Sequence, residues 1–194
     1  ELTLSECAEF WGVARKRILP REIFDVLSVT GGVPRYLEEV DPGLSADENI
    51  RRMCFLRTGE LFNDFNAIFN PLFGTEVALK KRILYALADG PLTGAEISRA
   101  VEVGRNGRLA KLMRDLTEGG FVSDDLGKNP ETGAELRVGR YRLRDNYTRF
   151  YLKYVEPVKS VIDDGSFEFI SLGQVENLDA LMGLAFESLG VNNY

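Results

Sequence analysis

The sequence predicts a mainly α-helical protein with one β-hairpin. Apolar residues recur at helical spacing over residues 1 to about 75 and again from residue 76 onward. Helix-capping residues, glycines and prolines lie at the positions where these helices are predicted to begin and end. Near residue 141 the period changes, because Tyr141 and Leu143 alternate with arginines, as in a strand.

Residues 1 to about 75 are predicted to be helical throughout. Pro20 restarts the helical pattern, and Ser45 with Glu48 forms the spacing of a capping box for a helix that begins at residue 46. The segment 60–73 has an apolar stripe wide enough to be core. Its members are Leu61, Phe62, Phe65, Ile68, Phe69 and Leu72.

Two glycines and a proline interrupt this block at Gly31, Gly32 and Pro34. Glycine permits backbone angles that other residues avoid, and proline fixes its own φ and lacks an N–H group. Arg35 follows with a planar fork of hydrogen-bond donors. The combination suits a backbone that lies close to a ligand, although a simple connection between two helices is the alternative interpretation.

The sequence pattern of residues 76–145 predicts three helices followed by a hairpin, which is the order of elements in a winged helix-turn-helix. The first helix ends at Gly90, and Thr93 with Glu96 is in capping-box register for the second. The third helix ends at a pair of glycines, 119 and 120, and has an apolar stripe. The stripe consists of Leu109, Leu112, Met113 and Leu116.

Residues 146–157 predict a connecting helix with aromatic residues on one face. The spacing of these residues is typical of packing rather than of a platform for stacking bases. We expect the stripe to join this helix rigidly to residues 76–145. It consists of Tyr147, Phe150, Tyr151 and Tyr154.

Charge is unevenly distributed along the chain. The net charge is −6, yet residues 76–145 hold 13 basic and 11 acidic side chains and form the one positive block. The excess of positive charge indicates that this block contacts duplex DNA. The alternative interpretation is a solvated face on a winged helix that packs against protein. The candidate DNA contacts are Arg105, Arg108, Lys111 and Arg114 around the third helix, and Arg137, Arg140 and Arg142 on the hairpin.

Cysteine and histidine content excludes several chemistries. The chain has two cysteines, far apart in sequence, and no histidine, which excludes a structural zinc site and a histidine-based catalytic triad. We therefore expect no metal site and no catalytic residue, and two buried thiols in a reducing cytoplasm. No apolar run is long enough for a membrane span, so no membrane partner is expected.

The order of these features resembles the C-terminal part of archaeal-type P-loop ATPases of the DEXX-box group, which are relatives of the AAA+ and STAND classes. The resemblance covers nearly the whole chain. It rests on a GG-x-P-R-Y-L turn, a Y-x-L-x-D ending of the winged helix and a G-x-x-F-E helix start. These motifs are Gly31, Gly32, Pro34, Arg35, Tyr36 and Leu37; Tyr141, Leu143 and Asp145; and Gly183, Phe186 and Glu187.

The resemblance implies a helical lid over residues 1–75, a winged helix over 76–145, and a connecting helix plus the first helix of a nuclease-like domain over 146–194. In similar ATPases the glycine-proline turn lies over ATP, so Gly31, Gly32 and Pro34 would contact the nucleotide and Arg35 would sense its phosphates. Glu187 would be an acid of the nuclease-like helix. The implied cofactor is ATP with Mg²⁺, and the implied partners are an upstream ATPase core, a downstream nuclease-like domain and DNA.

The sequence departs from an ATPase in one decisive respect. A phosphate loop needs G-x-x-x-x-G-K-[ST], but Gly127-Lys128 is preceded by Val122 at the first glycine position and followed by Asn129. We therefore interpret the chain as a fragment that neither hydrolyses ATP nor holds a cofactor alone. A non-enzymatic winged-helix transcription regulator and part of a restriction-like defence nuclease are the alternatives.

Overall fold

The computed structural model describes residues 2, 4–12, 19–125 and 139–169. The chain forms two compact units. The terminal unit comprises the residues up to Ala67 and those from Asn146 onward, and the central unit is Ile68–Asp145. The mainly α-helical prediction is confirmed, with one small antiparallel sheet of three strands in the described residues. The division between units falls inside a helix, earlier than the boundary near residue 75 that the sequence predicts.

The first part of the terminal unit is built from helices. They are α1 (Leu4–Phe10), α2 (Pro20–Thr30), α3 (Pro34–Glu38), α4 (Ala46–Cys54) and α5 (Glu60–Phe73), the last of which continues into the central unit. The described residues within 1–75 contain no strand. The hydroxyl of Ser45 caps α4 by accepting from the Glu48 N–H at 3.2 Å. The Glu48 carboxylate accepts from Arg51 at 2.9 Å, and the reciprocal bond of the predicted capping box is absent from the described contacts.

Burial on α5 is narrower than the predicted stripe. Leu61, Phe62, Phe65 and Phe69 are buried, but Ile68 is 43% exposed, so its assignment to the core was wrong. Residues 61, 65 and 69 follow one another at four-residue spacing, and position 68 lies at the edge of this face. The side chain of Leu72 lies outside the described residues.

The central unit combines helices with the small sheet. In chain order it contains α6 (Val77–Ala88), β1 (Leu92–Thr93), α7 (Gly94–Ala100), α8 (Gly107–Glu118), β2 (Val122–Asp125) and β3 (Arg140–Leu143). The strand order is β1-β3-β2 and both pairings are antiparallel. Leu143 lies opposite Val122 in the register, and both side chains are buried.

The local signals in this unit act as the sequence predicts. Thr93 and Glu96 form a complete capping box, because the Glu96 carboxylate accepts from the Thr93 N–H at 2.7 Å and the Thr93 hydroxyl accepts from the Glu96 N–H. Donation by the Thr93 N–H and by the Thr93 hydroxyl to this carboxylate lowers the pKa of Glu96. The stripe on α8 is buried as expected, and Gly120 takes the positive φ of 79° that ends the helix.

The last described elements belong to the terminal unit. They are α9 (Asn146–Phe150), a π-helical turn (Tyr151–Val155), a 3-10 turn (Glu156–Val158), α10 (Lys159–Asp163) and a further 3-10 turn (Ser166–Phe169). The four aromatic residues of the predicted stripe are buried, as expected for packing. The helix predicted to begin the nuclease-like domain, with Gly183, Phe186 and Glu187, lies outside the described residues.

The aromatic stripe packs inside the terminal unit. Tyr151 stacks on Phe65 with ring centroids 4.2 Å apart, and Tyr147 lies 5.1 Å from Tyr36. The sequence predicts that this stripe joins the helix to residues 76–145. The observed ring contacts are instead with Tyr36 on α3 and Phe65 on α5. The division of the chain into units agrees, since residues from 146 onward group with the first 67.

Both cysteines are free and buried. Burial raises the pKa of the Cys7 thiol to about 11, and burial also raises the pKa of Cys54. Both thiols are therefore protonated at neutral pH, as expected for structural cysteines.

Candidate functional site: the glycine turn and the basic face of α8

The glycine turn connects α2 to α3 in the terminal unit. Gly31 caps α2 with a φ of 65°, and its N–H donates to the Leu27 carbonyl at 2.9 Å. Gly32 follows with a φ of 74°. Both residues lie in the left-handed region, so the sequence correctly predicts that this turn depends on glycine.

The chain's own N-terminal segment lies against Gly32. The Leu2 N–H donates to the Gly32 carbonyl at 2.8 Å. A Cβ atom added at Gly32 would stand 2.5 Å from the Leu2 carbonyl oxygen and 3.3 Å from the Cys7 sulfur. The close approach that the sequence assigns to a ligand is thus made by Leu2 and Cys7 in this structure.

Arg35 is exposed and held in an ion pair. Its guanidinium hydrogen-bonds the Glu60 carboxylate and lies 3.5 Å from an oxygen of Asp64, one helical turn further along α5. The hydrogen bond to Glu60 raises the pKa of Arg35. Pro34 is the first residue of α3 and is exposed beside it. A phosphate group would therefore compete with two carboxylates for this arginine.

The candidate DNA contacts lie on three segments of the central unit. The loop before α8, α8 itself and β3 hold them. Arg105 lies in the loop, Arg108, Lys111 and Arg114 on α8, and Arg140 and Arg142 on β3, while Arg137 lies outside the described residues.

The exposed face of α8 lies opposite its apolar stripe. Lys111 and Arg114 are exposed on this face, and neither forms an ion pair with a residue in the described part of the chain. Arg105 and Arg140 are also exposed. Asp115 lies near Lys111 and Arg114, and the hydrogen bond from Lys80 together with these two charges lowers its pKa. All four exposed cations can nevertheless be reached by an anionic partner.

Two of the predicted contacts already have carboxylate partners. Arg108 Nη2 lies 3.1 Å from Glu76 Oε2, and Arg142 Nε lies 3.0 Å from Asp125 Oδ2. The Arg142 side chain is only 14% exposed, and its residue pairs with Ser123 in the sheet register. Arg108 and Arg142 thus differ from the other four described candidates, which form no ion pair in the described part of the chain.

A buried lysine on α6 forms an ion pair with an aspartate on α8. Lys80 is 4% exposed, and its Nζ atom lies 2.6 Å from Asp115 Oδ2. The hydrogen bond from Lys80 lowers the pKa of Asp115. The sequence reasoning did not single out Lys80, although it is in helical register with the buried Ile83, Leu84 and Leu87.

Asn106 is a second residue that the sequence reasoning missed. Its side-chain oxygen accepts from the Arg108 N–H at 3.0 Å and from the Leu109 N–H at 3.2 Å, which caps α8. An asparagine directly before an apolar helical pattern is the signal that could have identified it. The cap fixes where α8 begins, and with it the position of Arg108.

The described residues contain no group of three or more histidine, cysteine or acidic side chains that could hold a metal ion. None of the helices in that part of the chain combines the length and apolar character needed to cross a bilayer.

Comparison with known proteins yields a distant relative. The chain is 27% identical over 172 residues to an uncharacterized protein of the archaeon Methanocaldococcus jannaschii. The match covers 87% of this chain but only 36% of the relative's length. No family model matches the sequence, and no solved structure matches it.

Proposed function

We propose that the central unit is a winged helix that binds duplex DNA through the exposed face of α8. In this proposal the chain is part of an ATP-dependent, DNA-associated protein, to which the helices before residue 68 contribute the lid. The observation that carries the DNA proposal is the exposed pair Lys111 and Arg114 on the helix face opposite the buried stripe.

The element order supports the winged-helix assignment. Helices α6, α7 and α8 precede a hairpin of β2 and β3, and the short β1 adds to the outer side of β3. In helix-turn-helix proteins the recognition helix enters the major groove and basic side chains contact the flanking phosphates. Helix α8 corresponds to that recognition helix.

The charge distribution supports binding to DNA. A chain with a net charge of −6 repels a polyanion on average, so binding depends on a local concentration of positive charge. In this proposal Lys111 and Arg114 supply it on α8, together with Arg105 in the loop before that helix and Arg140 on β3. We expect phosphate contacts without strong sequence preference, because these side chains carry charge rather than a base-specific pattern.

The ATP-dependent part of the proposal rests on the resemblance of the glycine turn to an ATPase lid. Arg35 remains the candidate sensor, with Gly31, Gly32 and Pro34 beside the nucleotide. Its contacts with Glu60 and Asp64 mean that it would exchange one set of anions for another on binding phosphate. The turn alone has no phosphate cradle, so ATP affinity would come mainly from another part of the protein.

The test is a titration of the 194-residue chain into a fluorescein-labelled duplex, followed by anisotropy at several KCl concentrations. We expect weak binding at low salt and a linear fall of log K with log salt concentration. A competing unlabelled duplex of unrelated sequence should displace the probe equally well. Absence of binding at the lowest salt concentration would refute the DNA proposal.

A second candidate is a winged helix that binds protein. The ion pairs of Arg108 and Arg142 with Glu76 and Asp125 favour it, because they remove two cations from the DNA-facing set.

A transcription regulator is a further alternative, and the anisotropy titration distinguishes it, since a regulator would prefer one duplex sequence over another by a large factor.

A further inference from the structure

Glu76 and Arg108 form an ion pair at the edge of the proposed DNA-binding face. Glu76 is the last residue of a 3-10 turn, Gly74–Glu76, directly before α6, and Arg108 is the second residue of α8. Arg108 Nη2 lies 3.1 Å from one carboxylate oxygen and 3.3 Å from the other. Both oxygens of the carboxylate thus face the same guanidinium nitrogen.

We infer that Glu76 competes with DNA phosphate for Arg108 and so sets the affinity and salt dependence of DNA binding. This inference rests on the proposed function. A guanidinium binds carboxylate and phosphate oxygens with the same donor geometry, so the two anions are alternative partners for one side chain. Glu76 is therefore a positioning residue, which acts on DNA only through Arg108.

The helices around the pair are held in place by a second ion pair, whose lysine is buried. Lys80 lies one turn after Glu76, and Asp115 lies two turns after Arg108, with 2.6 Å between Lys80 Nζ and Asp115 Oδ2. Because this contact fixes α8 against α6, the Glu76 carboxylate stays within reach of Arg108 without a change in fold.

Exposure makes the Glu76 contact replaceable. The side chains of Arg108 and Glu76 are 59% and 37% exposed, so water and a phosphate group can reach both. Exposed ion pairs contribute little to stability, and a phosphate can displace such a carboxylate. The corresponding pair on β3 differs, because the Arg142 side chain is only 14% exposed.

The decisive variant is Glu76→Gln, which keeps the side-chain shape and removes the charge. We expect it to add one phosphate contact, which steepens the salt slope by about 0.9 and tightens duplex binding on the order of tenfold at about 50 mM salt. The matched control is Glu102→Gln. Glu102 also pairs with an arginine of the central unit, Arg82 at 3.6 Å, but that arginine is on α6.

A double-mutant cycle with Arg108→Ala separates this effect from general electrostatics. In the Arg108→Ala background, Glu76→Gln should give no gain beyond that of Glu102→Gln. Circular dichroism and thermal melting of each protein establish that the fold is retained. Neither Glu76 nor Arg108 belongs to the buried core.

The outcomes are distinguishable. A steeper slope for Glu76→Gln that disappears with Arg108→Ala supports the inference. Binding by the unmodified chain with no difference between Glu76→Gln and Glu102→Gln overturns the inference and leaves the proposed function intact. A gain that survives Arg108→Ala also overturns it. If neither the unmodified chain nor Glu76→Gln binds the duplex, both the proposed function and the inference are overturned.

Discussion

Replacing Gly32 with alanine tests what the glycine turn is for. If the missing Cβ serves the packing of Leu2 and Cys7, Gly32→Ala should destabilise the terminal unit in the absence of any ligand. If the space serves only a ligand, the change should cost no more than the strain of a non-glycine residue at this positive φ.

The magnitude follows from two contributions. A non-glycine residue at the φ of 74° costs about 1–2 kcal/mol of strain. The new Cβ would stand 2.5 Å from the Leu2 carbonyl oxygen, so Leu2 must move and the 2.8 Å hydrogen bond from its N–H to the Gly32 carbonyl is lost. That bond is worth about 1 kcal/mol, which makes the total about 2–3 kcal/mol.

The assay is thermal unfolding of the ligand-free chain followed by circular dichroism. The expected loss corresponds to a Tm lower by about 5–10 °C for a protein of this size. The control is Gly120→Ala, because Gly120 has a φ of 79° and open space around its missing Cβ. It carries the strain of about 1–2 kcal/mol without the clash. A Gly32→Ala protein that melts no lower than Gly120→Ala would refute the packing interpretation.

Three further changes test the packing and the electrostatics. Phe65→Ala removes the ring that stacks on Tyr151 at 4.2 Å and should cost about 3–5 kcal/mol in urea unfolding, whereas a loss under about 1 kcal/mol would contradict its place in the core. Thr93→Ala removes the hydroxyl that caps α7, which should cost about 1 kcal/mol; it should raise the pKa of Glu96 only part of the way toward its usual 4.5 in an NMR titration, because the N–H of residue 93 still donates to that carboxylate, and an unchanged stability would contradict the cap. Lys80 holds the pKa of Asp115 below its usual 3.8, so this carboxylate stabilises the fold above that pH, and the contribution is lost as the pH falls through the lowered value. Asp115→Asn should therefore be less stable than the unmodified chain at neutral pH, and the difference should shrink in acid; a difference independent of pH would contradict the ion pair.

The sequence predicts the central unit well because its signals are local. The capping box of Thr93 and Glu96 and the apolar stripe of α8 each depend on residues within a few turns of one another. The alternation of Tyr141 and Leu143 likewise marks β3 without reference to its partner strands. These patterns place the elements and show which face of α8 is exposed.

Contacts between distant residues were not predictable in the same way. Leu2 meets Gly32, and Lys80 meets Asp115, through chain separations that no periodic pattern encodes. For the same reason the aromatic residues at 147–154 could be predicted to pack, but not to pack on Tyr36 and Phe65. The division of the arginines into paired and exposed members also depends on such contacts.

The most direct test of the central claim is duplex binding by a Lys111→Ala/Arg114→Ala variant. Both side chains are exposed on α8 and lie off its buried stripe, so folding should be retained. The control is Arg21→Ala/Arg57→Ala, which removes the same charge from exposed positions of the terminal unit.

Two lost phosphate contacts should flatten the salt slope by about 1.8. The control should bind with a slope close to that of the unmodified chain. Adding Arg108→Ala should flatten the slope of the α8 variant little further while Glu76 is present, because that arginine is already paired. Equal slopes for the α8 variant, the control and the unmodified chain would contradict the claim that this face of α8 binds DNA.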